Sequence, residues 1–190
     1  MTIKQNAYQF LFIAVFMLMG ISQLQAQEVL IEEEIEIEEE EEEVKHFRIG
    51  LVLAHTYIPK GTSEGTQVTS IPAYGLDLEY WINEKWGLGF HNEVELEMYE
   101  VETGEMSFID REYPLVVTLD ALYKPYKELI FVVGYGVEFE KSENLNLIRF
   151  GAEYEFNLGD HWDMSPNFTY DYRFNNYGTY AIGIGIGKKF

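Results

Sequence analysis

The last twelve residues, 179–190, constrain the fold most, because they alternate strictly between bulky and small side chains over most of their length. A period of two is typical of a β-strand whose faces meet different surroundings. The opposing row is mostly glycine, where a water-facing sheet carries Thr, Ser or Lys. Glycine in that row suits the crowded interior of a narrow barrel with an apolar exterior. The bulky row consists of Tyr180, Ile182, Ile184, Ile186, Lys188 and Phe190.

The same alternation begins at His46 and predicts eight strands between there and the end of the chain. Each strand is long enough to cross a hydrocarbon layer, which takes about nine to eleven tilted residues. The fourth strand is nearly all apolar, and we place Thr118 and Asp120 on its inner face. The predicted strands are 46–57, 71–83, 86–99, 113–124, 129–140, 145–156, 162–174 and 179–190.

The predicted connections alternate between short turns and longer loops. Short turns follow strands two, four and six, at 83–85, 125–128 and 157–161. Long loops follow strands one and three, at 58–70 and 100–112. This is the outer-membrane pattern, in which the turns and both termini lie in the periplasm and the loops lie outside.

The alternating terminal strand that closes on Phe190 resembles the closing strand of Gram-negative outer-membrane β-barrels. Residues 46–190 as a whole resemble the small eight-stranded OmpA/OmpX-type barrel domains, which implies an all-β, antiparallel, up-and-down transmembrane barrel surrounded by outer-membrane lipid. Lys188 departs from the family, which usually has an apolar or aromatic residue there. The resemblance further implies an assembly signal read by the barrel-assembly machinery, formed by Tyr180, Ile182, Ile184, Ile186 and Phe190.

A soluble secreted barrel or sandwich, with its apolar face turned inward, is the main alternative, since alternation alone does not separate the two. The glycine-rich face and the aromatic residues near strand ends favour the membrane, where such residues form interface belts. These aromatic residues are Tyr74, Tyr80, Trp86, Tyr123, Phe156, Trp162 and Phe174.

Two segments precede the predicted barrel. Residues 1–26 read as a signal peptide, with Lys4 in the positive region followed by an apolar run, the alternative being an uncleaved anchor. Residues 27–45 read as a disordered acidic tail, since eleven of the sixteen residues from 28 to 43 are Glu and such blocks repel and stay solvated. The tail is either a spacer or a binder of divalent cations or of a basic partner.

The composition excludes several classes of function. A net charge of −20 argues against nucleic acid as a partner, and the absence of cysteine excludes disulfides and thiolate metal sites. No cofactor is expected, and no catalytic constellation of Ser, His and an acid is visible. His91 shares a strand face with Glu93 and Glu95, so a metal site and a hydrogen-bonded interior histidine are both open, the latter being favoured.

The inner face carries far more acids than bases, and charges inside a narrow barrel must be paired, neutralised or wet. The predicted connections at 141–144 and 157–161 place Arg149 opposite Gly136 and Thr169. We predict that Arg149 bridges Glu138 and Asp171, each one diagonal step away on a neighbouring strand. The glycines near mid-strand predict a plugged waist between wet acidic vestibules. The ion-pair candidates are Arg48, Glu79, Glu138, Arg149, Asp171 and Arg173. The inward acids are Asp77, Glu79, Glu93, Glu95, Glu97, Asp120, Glu138, Glu140, Glu153, Glu155, Asp163 and Asp171.

The pattern therefore predicts a non-enzymatic outer-membrane barrel with a role in envelope integrity, in structure or in surface interactions. The acid excess of the inner face keeps a second hypothesis open, a small cation-preferring pore or uptake component. An envelope enzyme is a third hypothesis, for which the sequence offers no convincing residue set.

Overall fold

The computed structural model describes residues 45–62, 65–103 and 108–190. The predicted signal peptide and all of the predicted acidic tail except Lys45 lie outside the described residues. Eleven β-strands make up the regular structure of the described part. They are β1 (Phe47–Thr62), β2 (Gly65–Trp81), β3 (Trp86–Glu95), β4 (Met98–Glu102), β5 (Phe108–Glu112), β6 (Leu115–Tyr126), β7 (Leu129–Phe139), β8 (Leu145–Tyr154), β9 (Phe156–Gly159), β10 (Trp162–Arg173) and β11 (Gly178–Lys189).

Eight antiparallel strands form a closed barrel in the order β1-β2-β3-β6-β7-β8-β10-β11, with β11 paired to β1. The seam is the pairing of β11 with β1, which runs from Arg48 opposite Lys189 to Tyr57 opposite Tyr180. β9 continues the direction of β8 beyond Glu155 and pairs with β10. The predicted eight-stranded antiparallel barrel is confirmed.

The outer face of the barrel is apolar and its inner face is polar. On β11, Ile182, Ile184 and Ile186 are 54%, 41% and 52% exposed, whereas Thr179 and Ala181 are buried. Because a soluble barrel hides its apolar face inside, the soluble alternative with that orientation is wrong. Such a large exposed apolar surface is rare on soluble monomers and marks contact with a membrane or a partner. No helix long and apolar enough to cross a membrane occurs in the described part of the chain.

The two ends of the barrel differ in their connections. We call the end that carries His46, Phe190 and the turns at 82–85, 127–128 and 160–161 the turn end. We call the opposite end, with the β1–β2 tip, the β4–β5 hairpin and the connections at 140–144 and 174–177, the loop end. The turns are tight for chemical reasons: for example, Asn83 Oδ1 accepts hydrogen bonds from the backbone N–H groups of Lys85 (2.9 Å) and Trp86 (3.0 Å).

The connection predicted as a long loop at 58–70 is instead a continuation of the first two strands. β1 and β2 stay paired as far as Thr62 opposite Gly65. Ile58 and Ile71 are fully buried on the inner side of this extension, so the strands continue because they have apolar surface to cover.

The connection predicted as a long loop at 100–112 is a second β-hairpin. β4 and β5 pair from Met98 opposite Glu112 to Glu102 opposite Phe108, in a sheet of their own. A bend after β3 changes the alternation, so Glu97, predicted to point inward, is exposed and Tyr99 is buried.

The pairing of β8 with its neighbours differs by two residues from the predicted register. Arg149 lies opposite Gly134 and Asp171, where the sequence predicted Gly136 and Thr169. On one side, Glu140 belongs to the loop, because its backbone N–H donates to Asn144 Oδ1 (3.2 Å) and its carboxylate accepts from Ser142. The hydrogen bond from the Ser142 hydroxyl, helped by that from the Ser142 backbone N–H, lowers the pKa of Glu140 to about 2.

On the other side of β8, the turn is shorter than the predicted 157–161. β9 continues to Gly159, and only Asp160 and His161 lie between it and β10. Both residues have positive φ, 49° and 65°, as the two central residues of a type I′ hairpin turn require. The shorter turn moves β10 by two residues along β8.

Gly134 has no room for a side chain, because Asp120 lies directly opposite on β6. A Cβ at Gly134 would overlap the Asp120 carboxylate and approach the carbonyl oxygen of Leu119 to 2.8 Å. We expect Gly134→Ala to lower the free energy of unfolding by about 1–3 kcal/mol, the usual cost of overpacking. The measurement is urea unfolding of the refolded barrel, followed by tryptophan fluorescence.

Gly50→Ala is the matched control, since Gly50 also faces inward. A Cβ there meets nothing nearer than Arg48 Nη1, at 3.4 Å. Equal losses of stability in the two variants would contradict the packing described for Gly134.

Candidate functional site

The interior near the turn end is organised around Arg48, whose side chain is 1% exposed. Its guanidinium forms ion pairs with Glu79 and with Asp163, the latter at 2.6 Å from Nη2. Nη2 also donates to Ser165 Oγ at 3.1 Å. Trp81 Nε1 completes the set by donating to Glu79 Oε2 at 2.9 Å. The pairing satisfies charges that would be costly if buried alone.

Glu155 lies at the break between β8 and β9, beside this cluster. Its carboxylate pairs with Lys124 from β6 and with Lys189 from β11, the second at 3.0 Å. Arg48 Nε is 3.9 Å away. One inward acid at the β8–β9 break thus forms ion pairs with residues of β6 and β11 near the turn end.

His91 lies in the middle of the interior and is 4% exposed. Its Nδ1 is 2.8 Å from Asp120 Oδ2, which also accepts from the Thr118 hydroxyl at 2.7 Å. Within the described residues, no group of three His, Asp or Glu side chains is arranged to hold a metal ion. The geometry is that of a hydrogen-bonded interior histidine.

Arg149 makes a two-pronged contact with Asp171, with Nε and Nη2 each 2.7 Å from a carboxylate oxygen. Glu93 is 3.7 Å away and in turn accepts from the Thr56 hydroxyl at 3.0 Å. The predicted bridge from Arg149 to Glu138 is wrong. The two-residue shift of β8 places Glu138 opposite Leu145, nearer the loop end than Arg149.

Glu138 is instead the centre of the interior near the loop end, and it is fully buried. It forms ion pairs with Arg173 and with Arg111 from the β4–β5 hairpin. The Tyr177 hydroxyl donates to the same carboxylate at 2.8 Å. Arg173 also donates to Thr179 Oγ1 at 2.8 Å. Two arginines and a phenol therefore surround one carboxylate.

An apolar lid closes the loop end above these charges. The Tyr99 hydroxyl donates to Glu95 at 2.6 Å and lies 3.0 Å from the Tyr177 hydroxyl. Burial raises the pKa of Tyr99 and of Tyr177, so both remain neutral hydrogen-bonding groups. The prediction of a wet acidic vestibule is wrong at this end. The lid consists of Ile58, Ile71, Tyr99, Val101, Leu145 and Tyr177.

Sequence reasoning missed Arg111 and Tyr177 as interior residues because both were placed in loops, and it gave Tyr99, the last residue of the predicted third strand, no place in the interior. A signal was present for the hairpin: Tyr99 and Val101 alternate with charged residues before Gly104, and Ile109 and Arg111 alternate after it. Two short alternating runs around a glycine are typical of a hairpin. No comparable pattern marks Tyr177.

The interior is therefore filled by side chains from one end to the other. Each of the inward arginines Arg48, Arg149 and Arg173 contacts at least one acid. The narrow middle of the barrel is filled by paired charges, whereas the sequence predicted that glycines would close it. Pairing of this kind stabilises the barrel, because a buried charge without its partner would be costly.

We expect Arg149→Met to lower the free energy of unfolding by about 3–5 kcal/mol, because Asp171 would remain buried without its partner. The double variant Arg149→Met/Asp171→Leu should recover part of the loss. Lys141→Met is the control: Lys141 is in an ion pair with Glu112 at 2.7 Å, but its side chain is 77% exposed. Its unfolding midpoint in urea should match that of the unaltered protein. A midpoint for Arg149→Met equal to that of the control would contradict the pairing.

Comparison with solved structures finds the same fold in small barrels. Neisserial surface protein A matches with a TM-score of 0.55 at 12% identity, covering 76% of this chain and 97% of its own. Ail, the attachment invasion locus protein of Yersinia pestis, matches with a TM-score of 0.50 at 14% identity, and the match covers 76% of this chain and 99% of Ail. The outer membrane protein OprG of Pseudomonas aeruginosa matches with a TM-score of 0.50 at 16% identity, and the match covers 76% of this chain and 96% of OprG. No protein-family model matches the sequence, and no curated protein does. The chain thus has the fold of the small eight-stranded outer-membrane barrels.

Proposed function

We propose that this protein is a non-enzymatic outer-membrane barrel with a non-conducting interior, whose role is structural or lies in surface interactions. The observation that carries the proposal is the filled interior. Glu138, Arg111 and Arg173 are each 0% exposed, and the apolar lid covers them from the loop end. A narrow eight-stranded barrel has room for side chains and hardly for a channel.

The outer surface supports a membrane location. Aromatic side chains form contacts at both ends of the apolar belt, as two interface girdles would. Near the turn end, the rings of Trp86 and Tyr123 are 4.4 Å apart, and Lys188 lies 5.2 Å from the ring of Trp162. Near the loop end, the rings of Tyr57 and Tyr180 stack at 5.1 Å.

The proposed orientation places the turn end, with both ends of the barrel sequence, in the periplasm. The support is the contrast between the tight turns at that end and the long hairpins at the other, since outer-membrane barrels keep their short turns inside. The acidic segment would then extend into the periplasm, where divalent cations or a basic partner are its proposed ligands.

The absence of an enzymatic role belongs to the same proposal. His91 is enclosed in the interior with Asp120, and Ser165 is bound to Arg48. Neither side chain reaches the surface where a substrate would approach. Catalysis needs a base and a nucleophile within reach of a substrate.

Planar-bilayer recording tests the non-conducting interior directly. We expect the refolded barrel to give no steady current above that of bilayers that received detergent alone. A stable cation-selective current would contradict the proposal and favour the small pore suggested by the acid excess of the interior.

We propose in addition that Phe190 acts as part of an assembly signal, together with the outward row of β11. Its backbone pairs with Phe47 across the seam, with its N–H donating to the Phe47 carbonyl at 2.8 Å. Its side chain is 55% exposed on the outer face. The ring is therefore available to be read during assembly, while the backbone holds the seam.

Phe190→Ala should reduce the amount of folded barrel in the outer membrane severalfold and leave refolding from urea into detergent unchanged. Phe47→Ala is the matched control, because Phe47 lies across the seam and is 58% exposed. Heat-modifiable gel mobility measures the folded fraction in both settings. Normal assembly of Phe190→Ala in cells, or equal loss in both variants, would show that the ring is not a signal.

A further inference from the structure

A cavity of about 430 Å³ lies on the outer rim of the loop end. Three segments form it: Thr103 and Ile109 of the hairpin, residues 143–146 at the start of β8, and residues 174–176 after β10. Asn146 and Phe174 are outward residues, since their neighbours Leu147 and Arg173 are buried in the interior. Its volume falls within the range of small-molecule sites, about 300–1,000 Å³. The cavity thus lies on the outer side of the barrel and borders the apolar lid at Leu145.

The amide groups of this cavity are fixed by hydrogen bonds to the framework. Asn144 Oδ1 accepts from the backbone N–H of Glu140 at 3.2 Å, and Asn146 Oδ1 accepts from the Tyr135 hydroxyl at 3.0 Å. Both side chains consequently keep their NH₂ groups as donors. Asn176 is held the other way, with Nδ2 donating to the Phe174 carbonyl at 3.1 Å, so its Oδ1 is left as an acceptor.

The backbone around these amides is also fixed. Arg111 Nη1 donates to the carbonyl of Glu143 at 2.8 Å, which joins the hairpin to the start of β8. The N–H of Phe174 donates to the carbonyl of Asn146 at 3.1 Å, which joins β10 to β8. A site whose polar groups are already oriented loses less entropy when a ligand binds.

The donors and charges of the cavity argue against two classes of ligand. A divalent cation requires six or more oxygen ligands as a rule, whereas the cavity combines the side-chain oxygens of Glu143 and Asn176 with the NH₂ groups of Asn144 and Asn146. An anion requires unpaired positive charge nearby, but among the described residues lining the cavity the charged one is the acidic Glu143. The nearby Arg111 is already in ion pairs with Glu138 and Glu140. An uncharged ligand that both donates and accepts hydrogen bonds remains, and hydroxyl groups have that property.

The apolar part of the cavity favours a ring-shaped ligand. The side chain of Phe174 is 40% exposed, and its ring lies 5.9 Å from that of Tyr172 and 6.5 Å from that of Tyr135. Ile109, which is partly buried against the apolar lid, adds aliphatic surface. A sugar ring combines hydroxyl groups on its edge with an apolar C–H face that packs against an aromatic side chain.

We propose that this cavity binds a neutral saccharide. The proposal rests on the proposed function, since it needs the loop end to face the outside of the cell. The saccharide comes from one of two sources with the same chemistry, a free glycan or the headgroup of a glycolipid, because the cavity lies next to the aromatic girdle.

Isothermal titration calorimetry tests the proposal with the refolded barrel in lauryldimethylamine oxide, a detergent without sugar. The probes are maltotriose, chitotriose and lactose, with a heparin oligosaccharide as an anionic comparison. The second arm uses dodecyl maltoside added to phospholipid nanodiscs that contain the barrel. Binding of a free sugar supports a soluble glycan as the source, and binding of dodecyl maltoside alone supports a glycolipid headgroup.

The informative variants are Asn146→Asp and Asn144→Asp. Each keeps the oxygen that accepts from Tyr135 or Glu140 and removes the NH₂ donor, so the fold is preserved while the site changes. We expect each to weaken binding at least about tenfold, as the loss of a good hydrogen bond does. Asn157→Asp at the turn end is the control: it adds the same charge and keeps the acceptor for the Gly159 N–H (2.8 Å), so binding should not change.

Three results would overturn the proposal: no binding of any neutral probe in either arm, binding that both Asn144→Asp and Asn146→Asp leave unaltered, or tighter binding of the heparin oligosaccharide than of every neutral probe. A current in planar bilayers would contradict the proposed function without affecting the cavity. The two failures are therefore distinguishable.

Discussion

The hydrogen-bonded seam between β1 and β11 is the constraint on which the rest of the structure depends. Ten residue pairs join the two strands, from Arg48–Lys189 to Tyr57–Tyr180. In hydrocarbon no water is present to bind the N–H and C=O groups of an open edge, so a sheet must close. Closure after eight strands fixes the diameter, and a barrel of this diameter leaves space inside for side chains alone.

The narrow interior explains which residues face inward. Where a charged side chain crosses the interior, its neighbour on the next strand is small, as Gly134 is opposite Asp120. Where two charges meet, they form pairs, as Arg149 does with Asp171. At the loop end the same requirement brings in Arg111 from outside the barrel strands, because Arg173 is shared between Glu138 and Glu95 and Arg111 is shared between Glu138 and Glu140. The hairpin is thus part of the interior, and its apolar side closes it.

Much of this fold could be predicted from the sequence, because outward and inward rows alternate and a membrane barrel makes that alternation strong. The strands and their faces follow from it, including Thr118 and Asp120 on the predicted apolar fourth strand. The register could not be predicted, since it depends on whether Glu140 joins a strand or a loop and on two positive φ angles at Asp160 and His161. The correct partner of Arg149 on β10 was found, whereas Glu138 was assigned to the wrong arginine. The rim cavity could not be predicted either, because Asn144, Asn146 and Asn176 come together only through the register and the hairpin.

The central claim is that the outward-facing apolar side chains of the barrel strands lie in a lipid bilayer. The chain has no cysteine, so a spin label on a single introduced cysteine reports one position. Labels at Ile182, Ile184 and Ile186 in phospholipid nanodiscs should collide more with oxygen than with a water-soluble nickel chelate. A label at Lys141, in the loop-end connection, should show the reverse. If the three β11 labels meet the chelate as freely as the Lys141 label does, the apolar face does not lie in a membrane and the account is wrong.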